Sequence, residues 1–226
     1  MITEFILLIL GAYLLGSAPT AYLVAKWHRG IDIRQYGSGN VGIANLMKLT
    51  SKRITIPVII FDIAKGLIMV CVAKLIGLDV IPQVAIGLAA VIGHNWPIFL
   101  RFNGGRGLLT TLGVIFILPL TNNLVPWEII AFLTIMLISW FLFHNVPVGM
   151  LIAITILPLI SWGDGKPLPI TLGFLAMLLM MTFRRLTAPR NSFTASVTPR
   201  QLFVNRLLFD RDIRDREAWI NRETSE

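Results

Sequence analysis

The sequence predicts an all-α integral membrane protein that crosses the bilayer several times. Of its 226 residues, 55% are hydrophobic and only 14% are charged, whereas charged residues make up about a quarter of a typical soluble domain. Long apolar stretches recur along the chain, and several reach the roughly 20 residues that an α-helix needs to cross about 30 Å of hydrocarbon. These observations argue against an ordinary soluble domain.

Seven apolar stretches divide the first part of the chain. They lie at about 5–25, 54–76, 83–100, 108–121, 127–143, 146–162 and 168–183. We expect about seven transmembrane helices, or five if two of the short, interrupted segments are re-entrant. The first stretch is expected to be a retained helix rather than a signal peptide, because no Lys or Arg precedes it.

A polar, basic tail of residues 184–226 follows the transmembrane domain of residues 1–183. The tail's clustered apolar residues are Leu202, Phe203, Leu207 and Leu208. A charged run at 210–217 comes after them. This order is typical of a short interfacial helix followed by a solvated end, and a disordered basic tail is the alternative.

The net charge of +8 is concentrated in two places. Residues 26–53 carry six Lys or Arg against a single acid, Asp32, and residues 184–226 carry nine arginines against six acids. Because positive loops stay cytoplasmic, we expect the N-terminus outside and the basic loop and C-terminus in the cytoplasm, in a multi-pass protein of the cell inner membrane. A membrane surface explains this charge better than a nucleic-acid partner does.

The basic loop contains Gly37-Ser38-Gly39-Asn40-Val41-Gly42, which we call the first glycine loop (residues 37–42). Arg34 precedes it, and Asn45 and Lys48 follow it. Glycines let successive backbone N–H groups converge on one anion, and small hydroxyl and amide side chains add donors without bulk. The first glycine loop is therefore a predicted phosphate site at a membrane surface.

A second glycine loop, Gly104-Gly105-Arg106-Gly107 (residues 104–107), directly precedes an apolar run. Glycines before a helix offer free N–H groups and the positive end of the helix dipole, and Arg106 can add a forked contact to phosphate oxygens. Alone, this pattern fits a simple turn equally well. The predicted topology puts both loops on one face, where they would hold two phosphorylated reactants or one phosphate from both sides.

Asp62, Lys65 and His94 are ionisable residues that lie within apolar segments. Asp62 and Lys65 are three residues apart on one helical face, so an ion pair with a structural or supporting role is expected. His94 is predicted to be a hydrogen-bonded supporting residue. Cys71 is the only cysteine, and no group of histidines and carboxylates has metal-ligand spacing, so neither a metal nor another cofactor is expected.

Taken together, these stretches resemble the PlsY family, bacterial membrane enzymes that acylate glycerol 3-phosphate from acyl phosphate. The matching residues are Gly16-Ser17, Pro19, Asp32-Ile33-Arg34, the first glycine loop, Asn45, Phe61-Asp62, Lys65-Gly66, Gly93-His94, Pro97, Phe99, Phe102, Gly104-Gly105 and Gly107. Their order and spacing match over about residues 11–113, roughly half of the chain.

The resemblance implies a seven-helix membrane fold with an active site facing the cytoplasm, and lysophosphatidic acid and phosphate as products. It places Ser38, Asn45 and Lys48 in the catalytic motif, with Lys48 where the family usually has arginine. Gly104, Gly105 and Gly107 match the family's phosphate-binding loop. With the residues that the two loop patterns indicate, the predicted substrate phosphate-binding residues are Arg34, Gly37, Gly39, Asn40, Gly42, Gly104, Gly105, Arg106 and Gly107. Arg106 replaces the family's usual lysine.

The chain departs from the family's third motif, a histidine and an asparagine just after the last helix. It has Thr182-Phe183-Arg184-Arg185-Leu186 there, and Asn191 is out of register. Besides an acyltransferase, two hypotheses for the function stay open. The chain could be a non-catalytic or altered-specificity paralogue, or a transporter of a phosphorylated solute. No internal repeat supports the transporter.

Overall fold

The computed structural model describes residues 2–189 and 197–220, and within these ranges it is helical with no β-strand. The α-helices are α1 (Ile2–Ser17), α2 (Thr20–Arg29), α3 (Ile43–Leu49), α4 (Lys52–Leu75), α5 (Val80–Asn95), α6 (Leu108–Thr121), α7 (Trp127–Ile138), α8 (Val146–Gly163), α9 (Leu168–Leu186), α10 (Pro199–Phe209) and α11 (Arg216–Ile220). The all-α prediction is confirmed. Asn191 lies outside the described residues.

In the described ranges, five helical segments are long and apolar enough to cross a membrane. They are Ile2–Arg29, Lys52–Leu75, Val80–Leu100, Val146–Gly163 and Leu168–Leu186. Two shorter apolar helical segments accompany them. One is Leu108–Thr121, and the other is Trp127–Leu142, which runs from α7 into the π-helical turn that follows it. Large side chains such as Leu75, Leu159 and Leu179 remain exposed on the outward faces, as expected of a surface that faces lipid rather than water.

Glycines let four of these helices approach backbone to backbone. A Cβ on Gly16 of α1 would contact the Ala90 carbonyl of α5, and one on Gly93 would contact the Tyr13 carbonyl of α1. Gly66 of α4 meets the Thr110 carbonyl of α6 in the same way. Small residues at membrane helix interfaces commonly allow such packing, and here it brings α1 against α5 and the middle of α4 against the start of α6.

The chain breaks between α1 and α2 at Ala18-Pro19, where Pro19 has no N–H to continue the helix. The carbonyl of Ala18 is left available there, and the ammonium of Lys65 donates to it at 2.6 Å. The first apolar segment is therefore bent, and its bend points toward the middle of α4.

The basic loop is more ordered than its sequence suggests. It contains the helix α3, which the hydropathy pattern did not predict, and Leu46 of that helix is buried with Ile33, Val41 and Val58. This small apolar cluster fixes the loop against α2 and α4.

The tail packs against the bundle through α10, which contacts α8 and α9. A capping box at Thr198 and Gln201 starts this helix. The charged run that follows is not simply solvated, because Asp210 pairs with Arg106 and Asp212 pairs with Arg206, each at 2.7 Å. The last long helix, α9, continues past residue 183 to Leu186.

Candidate active site

A narrow cleft opens where the break between α1 and α2 meets the end of α5. Residues 16–21 form one wall, and Val41, Asp62, His94 and Gly104-Gly105 form the others. A Cβ added to Gly105 would lie 2.9 Å from the Val41 carbonyl, so the two glycine loops lie side by side, as the sequence predicted. The cleft joins the helix break at residues 16–21, Asp62, His94 and one residue or more of each glycine loop.

Asp62 accepts two hydrogen bonds at the floor of the cleft. Its Oδ1 atom accepts from the Lys65 ammonium and from the Thr20 hydroxyl, both at 2.7 Å. The side chains of Asp62 and Lys65 are only 2% and 1% exposed. The predicted ion pair is therefore present, and it ties α4 to the start of α2 across the broken segment.

His94 stands between this ion pair and the second glycine loop. Its Nδ1 atom lies 4.0 Å from Asp62 Oδ1, and a Cβ added to Gly105 would collide with its Nε2 atom. The His94 carbonyl accepts from the Gly105 N–H at 3.2 Å. The histidine therefore contacts the loop through both its ring and its backbone, and its ring lines the cleft.

The Asn45 side chain holds the backbone of the first glycine loop. Its Nδ2 atom lies 3.1, 3.0 and 3.2 Å from the carbonyl oxygens of Ile33, Tyr36 and Asn40, and its Oδ1 atom accepts from the Ser38 N–H at 3.1 Å. Asn45 is only 2% exposed. It is thus engaged by the backbone of its own loop and does not line the cleft.

The loop backbone explains its glycines. Gly37 and Gly39 have φ values of 55° and 67°, a region that favours glycine. A Cβ on Gly37 would also collide with Asn45 Oδ1. The Ser38 hydroxyl oxygen accepts one weak hydrogen bond, from the Asn40 N–H at 3.4 Å.

Two cations assigned to the site from the sequence, the predicted phosphate-binding Arg34 and the predicted catalytic Lys48, lie on the outer side of the first loop. Arg34 makes a forked pair with Asp32, with Nη2 to Oδ2 at 2.6 Å, and its hydrogen bonds lower the pKa of the Asp32 carboxyl. Lys48 is exposed on α3, and partial desolvation, together with repulsion from Arg216, lowers the pKa of its ammonium group. Neither cation lines the cleft.

Two of the N–H groups of the second glycine loop, those of Gly104 and Gly105, are not free. The Gly104 N–H donates to the Asn95 carbonyl, and the Gly105 N–H donates to the His94 carbonyl, both at 3.2 Å. The loop therefore continues the turn that ends α5. Gly107, with φ of 73°, then starts α6.

Arg106 points toward the tail rather than into the cleft. Its Nη1 atom donates to the Arg184 carbonyl at 3.1 Å, and its Nε atom lies 2.7 Å from Asp210 Oδ1. Arg184 in turn donates to the carbonyls of Gly104 and Gly105. The end of α9 and the tail thus surround the second loop.

Sequence reasoning assigned no role to the hydroxyls at the helix break. Thr20 bonds to Asp62, and Ser17, fully buried beside the cleft, has no hydrogen-bond partner among the described residues. Two small hydroxyl residues flanking a proline between apolar stretches were the available signal. Asn95 is also fully buried, and its amide likewise has no partner in the described part of the chain.

The cleft thus combines hydroxyls, an imidazole and a buried ion pair with two hydrogen-bonded glycine loops. Such a site can hold a small polar, anionic molecule at the surface while an apolar chain lies between helices or in lipid. Among the residues described, no group of three or more His, Cys, Asp or Glu side chains is placed to hold a metal ion.

Comparisons with known proteins agree with this picture. A family model described as glycerol-3-phosphate acyltransferase matches residues 6–191. Glycerol-3-phosphate acyltransferase 5 of Dehalococcoides mccartyi is 42% identical over 228 residues, covering 98% of this chain and 94% of that protein. The glycerol-3-phosphate acyltransferase of Geotalea daltonii is 38% identical over 180 residues, covering 79% and 89%.

A solved structure has the same fold. It is the crystal structure of PlsY (YgiH), an integral membrane glycerol 3-phosphate acyltransferase, in its glycerol 3-phosphate form, with a TM-score of 0.73 and 30% identity over 80% of this chain and 88% of that one. The lysophosphatidic acid form gives a TM-score of 0.73 and 27% identity over 97% and 100%. The chain therefore belongs to the glycerol-3-phosphate acyltransferase family, and it is a multi-pass membrane protein.

Proposed function

We propose that this member of the family transfers a fatty acyl group from acyl phosphate to glycerol 3-phosphate, giving 1-acylglycerol 3-phosphate and inorganic phosphate. The observation that carries the proposal is the cleft in which the two glycine loops meet beside Asp62, Lys65 and His94. Both substrates are phosphates, and a reaction between them needs two neighbouring places for crowded negative charge.

The chemistry asks little of the protein beyond alignment and charge neutralisation. The glycerol hydroxyl oxygen bonds to the acyl carbon, the bond from that carbon to the phosphate oxygen breaks, and phosphate leaves with the electron pair. The hydroxyl proton passes to a phosphate oxygen. Because acyl phosphate is already activated, holding the reacting atoms in line and stabilising the developing negative charge supply most of the rate.

The first glycine loop is proposed to present Ser38 to the reacting groups, with Gly37, Gly39, Asn40 and Gly42 shaping its backbone. Asn45 then acts by holding that backbone rather than by touching substrate. Arg34 and Lys48, on the outer side, add positive charge near the loop.

The second glycine loop is proposed to hold the other phosphate. Arg106 is proposed to contribute by exchanging Asp210, which lies 2.7 Å from its Nε atom, for a phosphate oxygen. Asp62 and Lys65 support the floor of the cleft, and His94 joins that floor to Gly105.

We place this site at the cytoplasmic face of the cell inner membrane. The basic loop and the arginine-rich tail support the placement, because positively charged segments stay on the cytoplasmic side. Acyl phosphate and glycerol 3-phosphate would reach the site from that face and from the bilayer.

The test is an assay of the purified full-length protein in lipid with acyl phosphate and glycerol 3-phosphate. Release of one phosphate per 1-acylglycerol 3-phosphate formed is the expected result. Binding of glycerol 3-phosphate without phosphate release would instead support a non-catalytic paralogue, which the arginines in place of the third motif favour. Exchange of labelled glycerol 3-phosphate across proteoliposomes without chemistry would support a transporter.

A further inference from the structure

The guanidinium of Arg184 holds two consecutive carbonyl groups of the second glycine loop. Its Nη2 atom donates to the Gly104 carbonyl at 2.8 Å, and its Nε atom donates to the Gly105 carbonyl at 3.2 Å. Arg184 comes from the last turn of α9, 80 residues further along the chain. It is only 3% exposed.

These contacts bind the backbone of Gly104 and Gly105 from both sides. The N–H groups of Gly104 and Gly105 donate to the end of α5, and their carbonyls accept from Arg184. The rigid guanidinium fork matches two neighbouring oxygens in a way that a lysine ammonium does not. The peptide planes of Gly104 and Gly105 are therefore set by packing between α5 and α9.

Burial of Arg184 needs a reason. A charged group removed from water is costly unless it is well paired, and among the described residues no carboxylate lies within 4 Å of its guanidinium to make a salt bridge. Its hydrogen bonds go to the two glycine carbonyls. The backbone carbonyl of Arg184 also accepts from Arg106 at 3.1 Å, so one residue positions both the loop backbone and the loop's cation.

We propose that Arg184 is a positioning residue that sets the second glycine loop, and through it Arg106 and the cleft edge at Gly105, for binding the phosphate of glycerol 3-phosphate. This inference rests on the proposed function for its ligand. Arg184 does not line the cleft, so it acts through the loop and not by touching substrate.

The neighbouring Arg185 provides a matched control. It is also buried and also donates to two carbonyls, those of Leu207 in α10 and Pro147 in α8, both at 3.0 Å. These bonds join the tail to α8 and leave the loop untouched. If buried arginines at this end of α9 serve stability alone, variants of Arg184 and Arg185 will behave alike.

The experiment compares Arg184→Gln, Arg184→Lys and Arg185→Gln in the full-length protein in lipid. Two quantities are measured: the KM for glycerol 3-phosphate at saturating acyl phosphate, and the hydrogen exchange of residues 101–111. For Arg184→Gln we expect a KM increase of about 10- to 100-fold with a smaller change in kcat, and faster exchange at Gly104 and Gly105. Arg184→Lys should show a smaller increase, because one ammonium cannot reproduce the fork.

Arg185→Gln should lower thermal stability while leaving the KM within about twofold and the loop's exchange unchanged. Equal effects of Arg184→Gln and Arg185→Gln on the KM, or wild-type KM and exchange in Arg184→Gln, would overturn the inference. If Arg184→Gln does not fold, Arg184→Lys decides by the same two measurements. If the wild type shows no turnover, the proposed function fails, and the exchange data alone still decide whether Arg184 positions the loop.

Discussion

The two glycine loops of this protein border one cleft but are built in opposite ways. The first, residues 37–42, is held by Asn45, whose partners lie 5 to 12 residues away in the chain. The second, residues 104–107, is held by Arg184 from 80 residues away and by Asp210 of the tail. The side chain that supports the first loop is close in the chain, whereas the side chains that support the second loop come from α9 and the tail.

The comparison distinguishes two ways in which the backbone shape of a loop at one site is fixed. A local loop keeps its shape whenever its own short segment is ordered, since few distant contacts are needed. A loop assembled from distant segments responds to any change in how those segments pack. We therefore expect substitutions in the second loop and its supports to change substrate binding, and substitutions under the first loop to act on that loop alone.

The largest expected effect is that of Gly105→Leu, which tests whether the two loops function as one site. Its side chain would meet the His94 ring and the Val41 carbonyl of the first loop. Turnover, followed as phosphate release, should fall at least about 100-fold. Gly163→Ala is the control, because a Cβ there meets no heavy atom within 4 Å; equal activity of the two variants would show that the loops need not touch.

Asn45→Ala tests the local character of the first loop. It leaves the carbonyls of Ile33, Tyr36 and Asn40 and the Ser38 N–H without their partner. We expect a loss of about 1–3 kcal/mol in the free energy of unfolding and faster hydrogen exchange at residues 33–40.

The comparison predicts that exchange at residues 104–107 stays unchanged in Asn45→Ala. The matched control is Asn205→Ala, which removes an amide donor to the Asp212 carbonyl in the tail and should leave residues 33–40 as they are. Faster exchange in both glycine loops of Asn45→Ala would contradict the separation between them.

A smaller effect is expected from Asp210→Asn, which weakens the tail's hold on Arg106. The Arg106 and Asp210 side chains are 15% and 18% exposed, and pairs near the surface contribute up to about 1 kcal/mol. If a phosphate must displace Asp210, the KM for glycerol 3-phosphate should fall about two- to fivefold.

Asp212→Asn is the control for this variant, because Asp212 pairs with Arg206 inside the tail at the same distance of 2.7 Å. It should lower thermal stability without lowering the KM. A KM that rises in Asp210→Asn would show that Asp210 orients Arg106 for substrate instead of competing with it.

The smallest expected effect is the acid sensitivity of the first loop. Hydrogen bonds from Arg34 lower the pKa of Asp32 below its usual 3.8. Because the pKa of Asp32 is lower in the folded protein than in the unfolded chain, the pair stabilises the fold fully at any pH above the unfolded-state pKa. This stabilisation is lost as the pH falls through the folded-state pKa. Because Arg34 is partly exposed, the contribution should stay below about 1 kcal/mol.

Thermal unfolding measured across this acidic range should show a slightly steeper loss of stability for the wild type than for Asp32→Asn. At neutral pH the variant should be less stable by the same small amount. Identical profiles for the two proteins would mean that the Asp32–Arg34 pair contributes nothing to the loop.

The helical bundle could be predicted because its signal is long and repeated. Hydropathy located all seven apolar segments, and the i,i+3 spacing of Asp62 and Lys65 indicated their ion pair, now seen at 2.7 Å. The helix α3 was missed, because seven residues carry little periodicity and its order depends on burying Leu46 against other elements.

The candidate site could be predicted only in part. Residue types marked both glycine loops, but Asn45 was assigned to catalysis although its side chain is engaged by the backbone beneath Ser38. Thr20 received no role, since nothing in its local sequence reveals that Asp62, 42 residues away, lies within hydrogen-bond distance. Hydrogen-bond partners across such separations depend on how helices pack.

A helical membrane protein with two glycine loops and a basic surface could be predicted from the amino-acid order alone. Composition, hydropathy and turn chemistry depend on residues that are close together in the chain. Tertiary structure decided which groups of those loops remain free. It buried Arg184 beneath the carbonyls of Gly104 and Gly105 and turned Arg106 toward Asp210. Both outcomes require contacts between segments far apart in the chain, and only the packed bundle supplies them.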